Sequence, residues 1–182
     1  MVGAGRIHDR AILDALESID PEPLKKTAWR VVRTGRDPLR GAAASGRWNA
    51  IGEFEVLYTS LAADGALAEV GHRLSLEPVW PSKIEHNLHR LKVKTERALR
   101  LDSLSQLERL GVDVKRFEGY DYTATQAIAA AAHFLAFDAM LVPSARFKIT
   151  NLVVFPDRIH TPPELLSSEK IDWAKWRERA RR

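Results

Sequence analysis

The chain contains no cysteine among its 182 residues. Disulfide bonds, thiolate metal ligands and cysteine nucleophiles are therefore excluded. No window approaches the ~20 apolar residues that a membrane-spanning helix needs, and the N-terminal segment has no sustained apolar run. We therefore expect a cytoplasmic protein without a membrane partner.

Two common ligand-binding signatures are incomplete. The stretch GAAASGRW at 41–48 has the glycine spacing of a P-loop, but Arg47 and Trp48 stand where that motif needs a lysine and a hydroxyl residue. His86 and His89 are spaced for one helix face, yet no third ligand follows in a recognisable pattern. We expect no triphosphatase loop and no metal, although Arg47 can still grip a phosphate with its guanidinium fork.

Charge of one sign is in excess but not concentrated. The net charge is +4 and the isoelectric point is about 9.5, so an anionic small molecule, an acidic partner or nucleic acid would fit. The Lys/Arg-rich segment 83–100 makes a nucleic-acid-binding or RNA-processing module an alternative. That segment has no interleaved aromatic residues, so we expect no direct nucleic-acid contact.

Hydrophobic periodicity predicts short strands alternating irregularly with helices, which favours an α+β fold with a mixed central sheet flanked by helices. We see no repeat and predict one domain over 1–182. Thr123 and Gln126 have the spacing of a capping box, and Asp64 is placed to cap an earlier helix. The predicted helices are 9–19, 64–74, 103–110 and 123–135; the predicted strands are 28–33, 54–59, short pieces within 88–101, 139–142 and 152–155; a long ordered loop covers 34–52, and a peripheral helix or tail follows 161.

Three residues raise questions in this pattern. Arg30 lies in the middle of an apolar strand, where a charge is costly unless an anion pairs with it. Periodicity alone predicts that Glu69 faces solvent and pairs with Arg73, although the small Ala66 on its face leaves room for a ligand. Ser144 lacks a hydrolase elbow, so it is either a turn serine or a hydrogen-bond donor to a sugar hydroxyl.

Five short stretches follow one another along the chain: WRVV, SGRWN, LYTS, ALAEV and DAMLVPSARFKITNLVVF. Taken in this order, they resemble the RES domain family of toxins from bacterial toxin–antitoxin modules. The resemblance covers about 29–155, which leaves 1–28 as an N-terminal helical extension and 156–182 as a C-terminal tail or helix. Two departures are Val31, where some members have an aromatic residue, and AFDAM, where many have a glycine.

The resemblance implies a split mixed sheet, like that of ADP-ribosyltransferase toxins, around a cleft for NAD as substrate. It implies cleavage of the nicotinamide–ribose bond by hydrolysis or phosphorolysis, or with transfer of ADP-ribose to an acceptor protein. A metabolic enzyme as the acceptor is the runner-up. The implied partner is an Xre-like antitoxin that blocks the cleft and makes the DNA contact. By residue match, Arg30, Glu69 and Ser144 are the name-giving catalytic positions.

The chemistry of this bond agrees with those positions. Positive charge develops on the ribose as nicotinamide leaves, and Glu69 can stabilise it. Arg30 and Arg47 can bind the pyrophosphate, Ser144 the ribose, and Tyr58 the nicotinamide or adenine face. The predicted binding residues are Arg30, Arg47, Tyr58, Glu69, Ser144 and Arg146, the last either a phosphate contact or a rim charge.

Overall fold

A computed structural model describes residues 7–180, so the first six residues of the predicted extension at 1–28 lie outside the described part. Over residues 7–180, no helix has the length and apolar character to cross a bilayer. The elements, in chain order, are α1 (Arg10–Glu17), β1 (Glu22–Arg33), β2 (Leu57–Ser60), α2 (Ala63–Ser75), β3 (His86–Arg100), α3 (Leu104–Arg109), a 3-10 turn (Val114–Arg116), α4 (Thr123–Phe134), β4 (Ala139–Pro143), β5 (Thr150–Val154), β6 (Glu164–Lys170) and α5 (Trp173–Ala180).

The six strands form one sheet in the order β1-β2-β5-β4-β3-β6. β1 also pairs with β3 along most of its length, so the sheet closes on itself into a barrel-like ring, with β6 attached outside it. β3 and β4 are parallel, and the other pairs are antiparallel. The predicted mixed α+β fold is confirmed.

The core has two parts, one on each face of the closed sheet. One cluster of buried residues comes from strands alone and includes Ala28, Leu91 and Leu152. The other lies between the outer face and the helices, and it includes Leu16 of α1 and Ile128 of α4. Successive residues of β4 and β5 therefore belong to different clusters, because strand side chains alternate between faces.

β3 shows this alternation over fifteen residues. Leu91 and Val93 are buried, whereas Lys92 and Lys94 are exposed, so this part of the strand has one solvent-exposed face. The segment is one long strand rather than separate short pieces. Its continuous partner β1 supplies a hydrogen-bonding neighbour that local sequence does not reveal.

Several predicted boundaries are wrong in detail. Tyr122, not Thr123, is the N-cap of α4, without a side-chain cap, and Gln126 donates instead to the carbonyls of Gly46 and Asn49. α2 begins at Ala63 with Asp64 in its first turn. The region after 161 contains strand β6 as well as a helix. The division at 29 and 155 stays a prediction.

α2 lies close against its neighbours because two of its residues have no side chain. A β-carbon at Gly65 would collide with Ser60 of β2 and with Ile149, and one at Gly71 would collide with the Trp176 ring of α5. The helix is therefore held between the end of β2 and α5. This placement carries Glu69 to the ends of β4 and β5.

Candidate active site

Glu69 is the centre of the site. Its Oε1 accepts a hydrogen bond from Ser144 Oγ at 2.6 Å and another from Asn151 Nδ2 at 3.2 Å. Asn151 lies in β5 directly opposite Ser60 of β2, the residue on which α2 packs. The expected ion pair with Arg73 is not formed within residues 7–180, and Glu69 is half-buried. Two donors on one oxygen leave Oε2 available for a ligand.

Ser144 lies in a turn, and its hydroxyl proton is donated to Glu69 Oε1; a hydrogen bond from Ser144 to a sugar hydroxyl stays a prediction. β4 ends at Pro143, and the Ser144 N–H donates to the Ile149 carbonyl at 2.9 Å, which closes the turn before β5. The hydroxyl accepts from the Arg146 N–H at 3.1 Å while it donates to Glu69. The serine thus joins the turn to the carboxylate.

Arg47 reaches the site from the long loop before β2. Its guanidinium donates to the carbonyls of Phe117 at 2.6 Å and Gly119 at 3.2 Å. It lies over the Phe117 and Tyr122 rings, 4.6 and 4.7 Å from their centroids. Burial lowers the pKa of Arg47, and the nearby Tyr122 and Glu69 partly offset this effect. A cation is therefore held in fixed orientation within electrostatic range of Glu69.

Tyr58 supports that loop from β2. Its hydroxyl donates to Asn49 Oδ1 at 2.7 Å and accepts from the Trp48 N–H at 2.9 Å. Burial raises the pKa of Tyr58 to about 12, so the phenol stays protonated at neutral pH. Gln126 and Thr125 of α4 bond the same loop from the other side. Contact of the Tyr58 ring with a base stays a prediction.

Arg146 lies at the mouth of the site with two residues that no sequence motif had singled out. Its guanidinium carbon is 5.6 Å from the centroid of the Tyr120 ring. The Tyr120 hydroxyl is 3.2 Å from Nε2 of His72, one turn after Glu69 on α2. The i, i+3 spacing of Glu69 and His72 was the available signal, because such residues share one side of a helix.

Two cavities meet at this mouth. One, of about 1170 Å³, is lined by Ser144, Phe117 and Lys148. The other, of about 1100 Å³, is lined by Trp80, Trp176 and the α2 residues facing them. The residues that line both cavities are His72, Arg146 and Phe147.

Arg30 is not brought to this group. Trp29 pairs with Ser60, so Trp29 shares the face of β1 that looks toward Asn151 and Glu69, and Arg30 points to the other face. There it lies opposite His89. Burial lowers the pKa of Arg30 to about 10, partly offset by Asp37. Its Nη1 is buried without a hydrogen-bond partner, and the catalytic assignment of Arg30 stays a prediction.

The histidines outside the site have structural partners. Nδ1 of His86 accepts from the Trp173 indole at 3.2 Å, and Nδ1 of His89 lies 2.7 Å from Ser168 Oγ. Within residues 7–180, no group of three or more histidine, aspartate or glutamate side chains is arranged to hold a metal. The polar atoms brought together around Glu69 suit an organic anion.

Proteins with a closed mixed sheet, a glutamate held by a serine and nearby arginines form a known class. The RES domain model matches residues 27–174, and this protein is therefore a member of the RES domain family. The predicted resemblance is confirmed.

Named relatives extend the comparison. The chain is 34% identical over 161 residues to the probable NAD(+) phosphorylase Rv3189 of Mycobacterium tuberculosis, covering 85% of this chain and 74% of the relative. It is 26% identical over 143 residues to the NAD(+) phosphorylase MbcT of Mycobacterium bovis, covering 75% and 77%. The crystal structure of the M. tuberculosis MbcT–MbcA toxin–antitoxin complex matches with a TM-score of 0.82 and 25% identity, over 93% of this chain and 97% of that one.

Proposed function

We propose that this protein is the toxin of a toxin–antitoxin pair and that it cleaves the nicotinamide–ribose bond of NAD with inorganic phosphate as acceptor. Family membership and the relatives named as NAD(+) phosphorylases support this reaction. The observation that carries it is the 2.6 Å hydrogen bond from Ser144 to Glu69 beside a cavity of about 1170 Å³. A carboxylate held by a serine that lines a cavity suits a reaction that develops positive charge.

Glu69 acts on the ribose. As the bond to nicotinamide lengthens, C1′ and the ring oxygen acquire oxocarbenium character, and a fixed carboxylate lowers the energy of that state. Ser144 and Asn151 hold Oε1, so Oε2 can face the sugar without reorganising. The carboxylate thus stabilises the transition state more than the neutral ribose of the ground state.

Cations position the dinucleotide. Arg47 has a fixed guanidinium near Glu69, and two of its five donors are engaged with carbonyls, which leaves donors for the pyrophosphate. Arg30 is assigned to the same substrate by its family position alone. The Arg30 contribution is therefore tested separately, by its effect on the KM for NAD.

The proposed enzymatic activity is tested with Glu69→Gln, which keeps the shape and the hydrogen-bond acceptor of the side chain while removing its charge. Loss of a preorganised electrostatic group typically costs about 10²–10³ in kcat. Purified protein without antitoxin is mixed with NAD and phosphate, and nicotinamide release is measured by chromatography. Glu17→Gln, an exposed carboxylate of α1, is the matched control and keeps full activity.

Mass spectrometry of the remaining product separates the related reactions. ADP-ribose 1″-phosphate indicates phosphorolysis, free ADP-ribose indicates hydrolysis, and a mass increase on an added protein indicates transfer. If the wild-type protein releases no nicotinamide with phosphate, without it or with candidate acceptor proteins, the proposed reaction is wrong.

An antitoxin is the expected partner, because the matched structure is a toxin–antitoxin complex. The finer proposal is that the antitoxin is Xre-like, that its C-terminal part enters the cleft next to Ser144, and that the pair acts in the cytoplasm. A candidate Xre-like protein is titrated into the NAD assay. Release that stops at a fixed molar ratio supports the proposal, and release that continues under excess partner contradicts it.

A further inference from the structure

The Arg146 side chain is a cation with no ion-pair partner among residues 7–180. Within residues 7–180 its guanidinium has no hydrogen bond and no ion pair, and its guanidinium carbon lies 5.6 Å from the centroid of the Tyr120 ring. By contrast, the Arg47 guanidinium is bonded to two carbonyls. The Arg146 backbone is tied to Ser144 by a 3.1 Å hydrogen bond, so its charge stays close to the anchored Glu69.

His72 and Tyr120 add hydrogen-bonding groups on the same side. The Tyr120 hydroxyl lies 3.2 Å from His72 Nε2, and His72 and Arg146 line both cavities. Burial, together with the charge of Arg146, lowers the pKa of His72 despite Glu69 and Glu118. The imidazole is therefore neutral at pH 7 and can donate one N–H to an anion.

We propose that Arg146, His72 and the Tyr120 hydroxyl bind the inorganic phosphate that attacks NAD. This inference rests on the proposed phosphorolysis and names the position of its second substrate. The neutral imidazole and the phenol carry one proton each, and one of the two is used in the bond between Nε2 and the hydroxyl. The pair therefore offers one donor to the phosphate, in addition to the guanidinium fork of Arg146. Charge-assisted hydrogen bonds from arginine are well suited to a doubly charged phosphate.

The position also suits the reaction geometry. Ser144 Oγ bonds both to Glu69 and to the Arg146 backbone N–H, and we place the phosphate bound by Arg146 beside this serine, facing the ribose carbon that Glu69 stabilises. A phosphate oxygen forms the new bond to C1′, the C1′–N bond breaks, and its electron pair leaves with neutral nicotinamide. No proton transfer is required. The positive charge of the Arg146 guanidinium reduces the repulsion between the phosphate and Glu69.

The test is steady-state kinetics of nicotinamide release with phosphate and NAD varied in turn. Arg146→Gln removes a charged hydrogen-bond donor, so we expect the KM for phosphate to rise about 10–150-fold, with the KM for NAD changed less than about threefold. Lys94→Gln is the matched control, because Lys94 is an exposed cation of β3 that lines neither cavity. It leaves both constants within about twofold, as expected for a solvated charge.

Two further variants keep the test decisive. Tyr120→Phe, at a residue that is 61% exposed, removes one neutral hydrogen bond and raises the KM for phosphate about 2–13-fold. This variant carries the test if Arg146→Gln does not fold. Arg146→Lys restores the charge without the fork and recovers part of the phosphate affinity.

The outcomes separate the two proposals. Absence of nicotinamide release from the wild type refutes the proposed function itself. Wild-type release that does not depend on phosphate, or a raised KM for NAD with an unchanged KM for phosphate in Arg146→Gln, overturns only the phosphate site. A raised KM for phosphate alone, absent in Lys94→Gln, supports it.

Discussion

Replacing Ser144 with alanine removes one of the two hydrogen bonds that hold Glu69. The bond is 2.6 Å long, within the range of a hydroxyl donating to a charged carboxylate. The second donor, Asn151 at 3.2 Å, contacts the same oxygen and remains in the variant. The carboxylate therefore keeps one anchor but gains rotational freedom.

The expected loss follows from these distances. Hydrogen bonds to charged groups contribute about 1.5–3 kcal/mol, and the remaining Asn151 bond favours the lower end, about 1.5 kcal/mol or roughly tenfold in kcat. Asn151→Ala removes the longer bond and costs about 0.5–1.5 kcal/mol. Because both donors act on one oxygen, the double variant loses more than the sum of the two.

The assay is nicotinamide release at saturating NAD and phosphate. Ser18→Ala is the control, because that hydroxyl also makes a short bond, 2.7 Å to the Ala15 carbonyl, but lies at the exposed end of α1. The variants are compared only after their circular dichroism and melting curves match the wild type. A folded Ser144→Ala protein with wild-type kcat, or strictly additive losses in the double variant, would refute the anchoring role.

Two further predictions concern stability. Gly71→Ala places a methyl group where it collides with the Trp176 ring, so we expect the free energy of unfolding to fall by about 1–3 kcal/mol. Adding Trp176→Ala removes the clash. Urea denaturation that shows simple additivity of the two substitutions would contradict this prediction. Burial lowers the pKa values of His86 and His89 below the ordinary value of about 6.5. At a pH between the folded-state and the unfolded-state pKa of these histidines, the unfolded chain binds more protons than the folded protein. Stability therefore falls as the pH drops through about 6.5. Urea unfolding at pH 7.5 and 5.5 measures this slope, which His89→Gln reduces and substitution of the exposed His160 does not; equal slopes in all three proteins would refute it.

The sequence predicted the elements that carry a local signal. The alternation of β3 and the apolar runs of β4 and β5 were readable because burial on one or both faces leaves a direct pattern. β6 was missed because all seven of its residues are exposed, so it has neither alternation nor an apolar run. The capping box at Thr123 was wrong because Gln126 bonds the distant loop at Gly46, and tertiary contacts override a local motif.

The site was predictable in composition but not in arrangement. Periodicity predicted that Glu69 faces solvent. Its hydrogen-bond donors Ser144 and Asn151 left no local signal, because they come from segments 75 and 82 residues away. Arg30 could be assigned to a face only after the pairing of Trp29 with Ser60 was known, since a shift of one residue exchanges the two faces. The orientation of the Arg146 side chain could not be predicted, because the residue lies in a turn, where strand alternation does not apply.

The order of segments in the sheet also bears on the protein while it is being made. Glu69 has neither of its anchors until Ser144 and Asn151 have been added, and β5 lies between β2 and β4 in the closed ring. At about 5–20 residues per second, that point is reached roughly 8 to 30 seconds after initiation. A nascent chain therefore lacks the assembled site for most of its translation, and we expect a product truncated before β5 to release no nicotinamide from NAD.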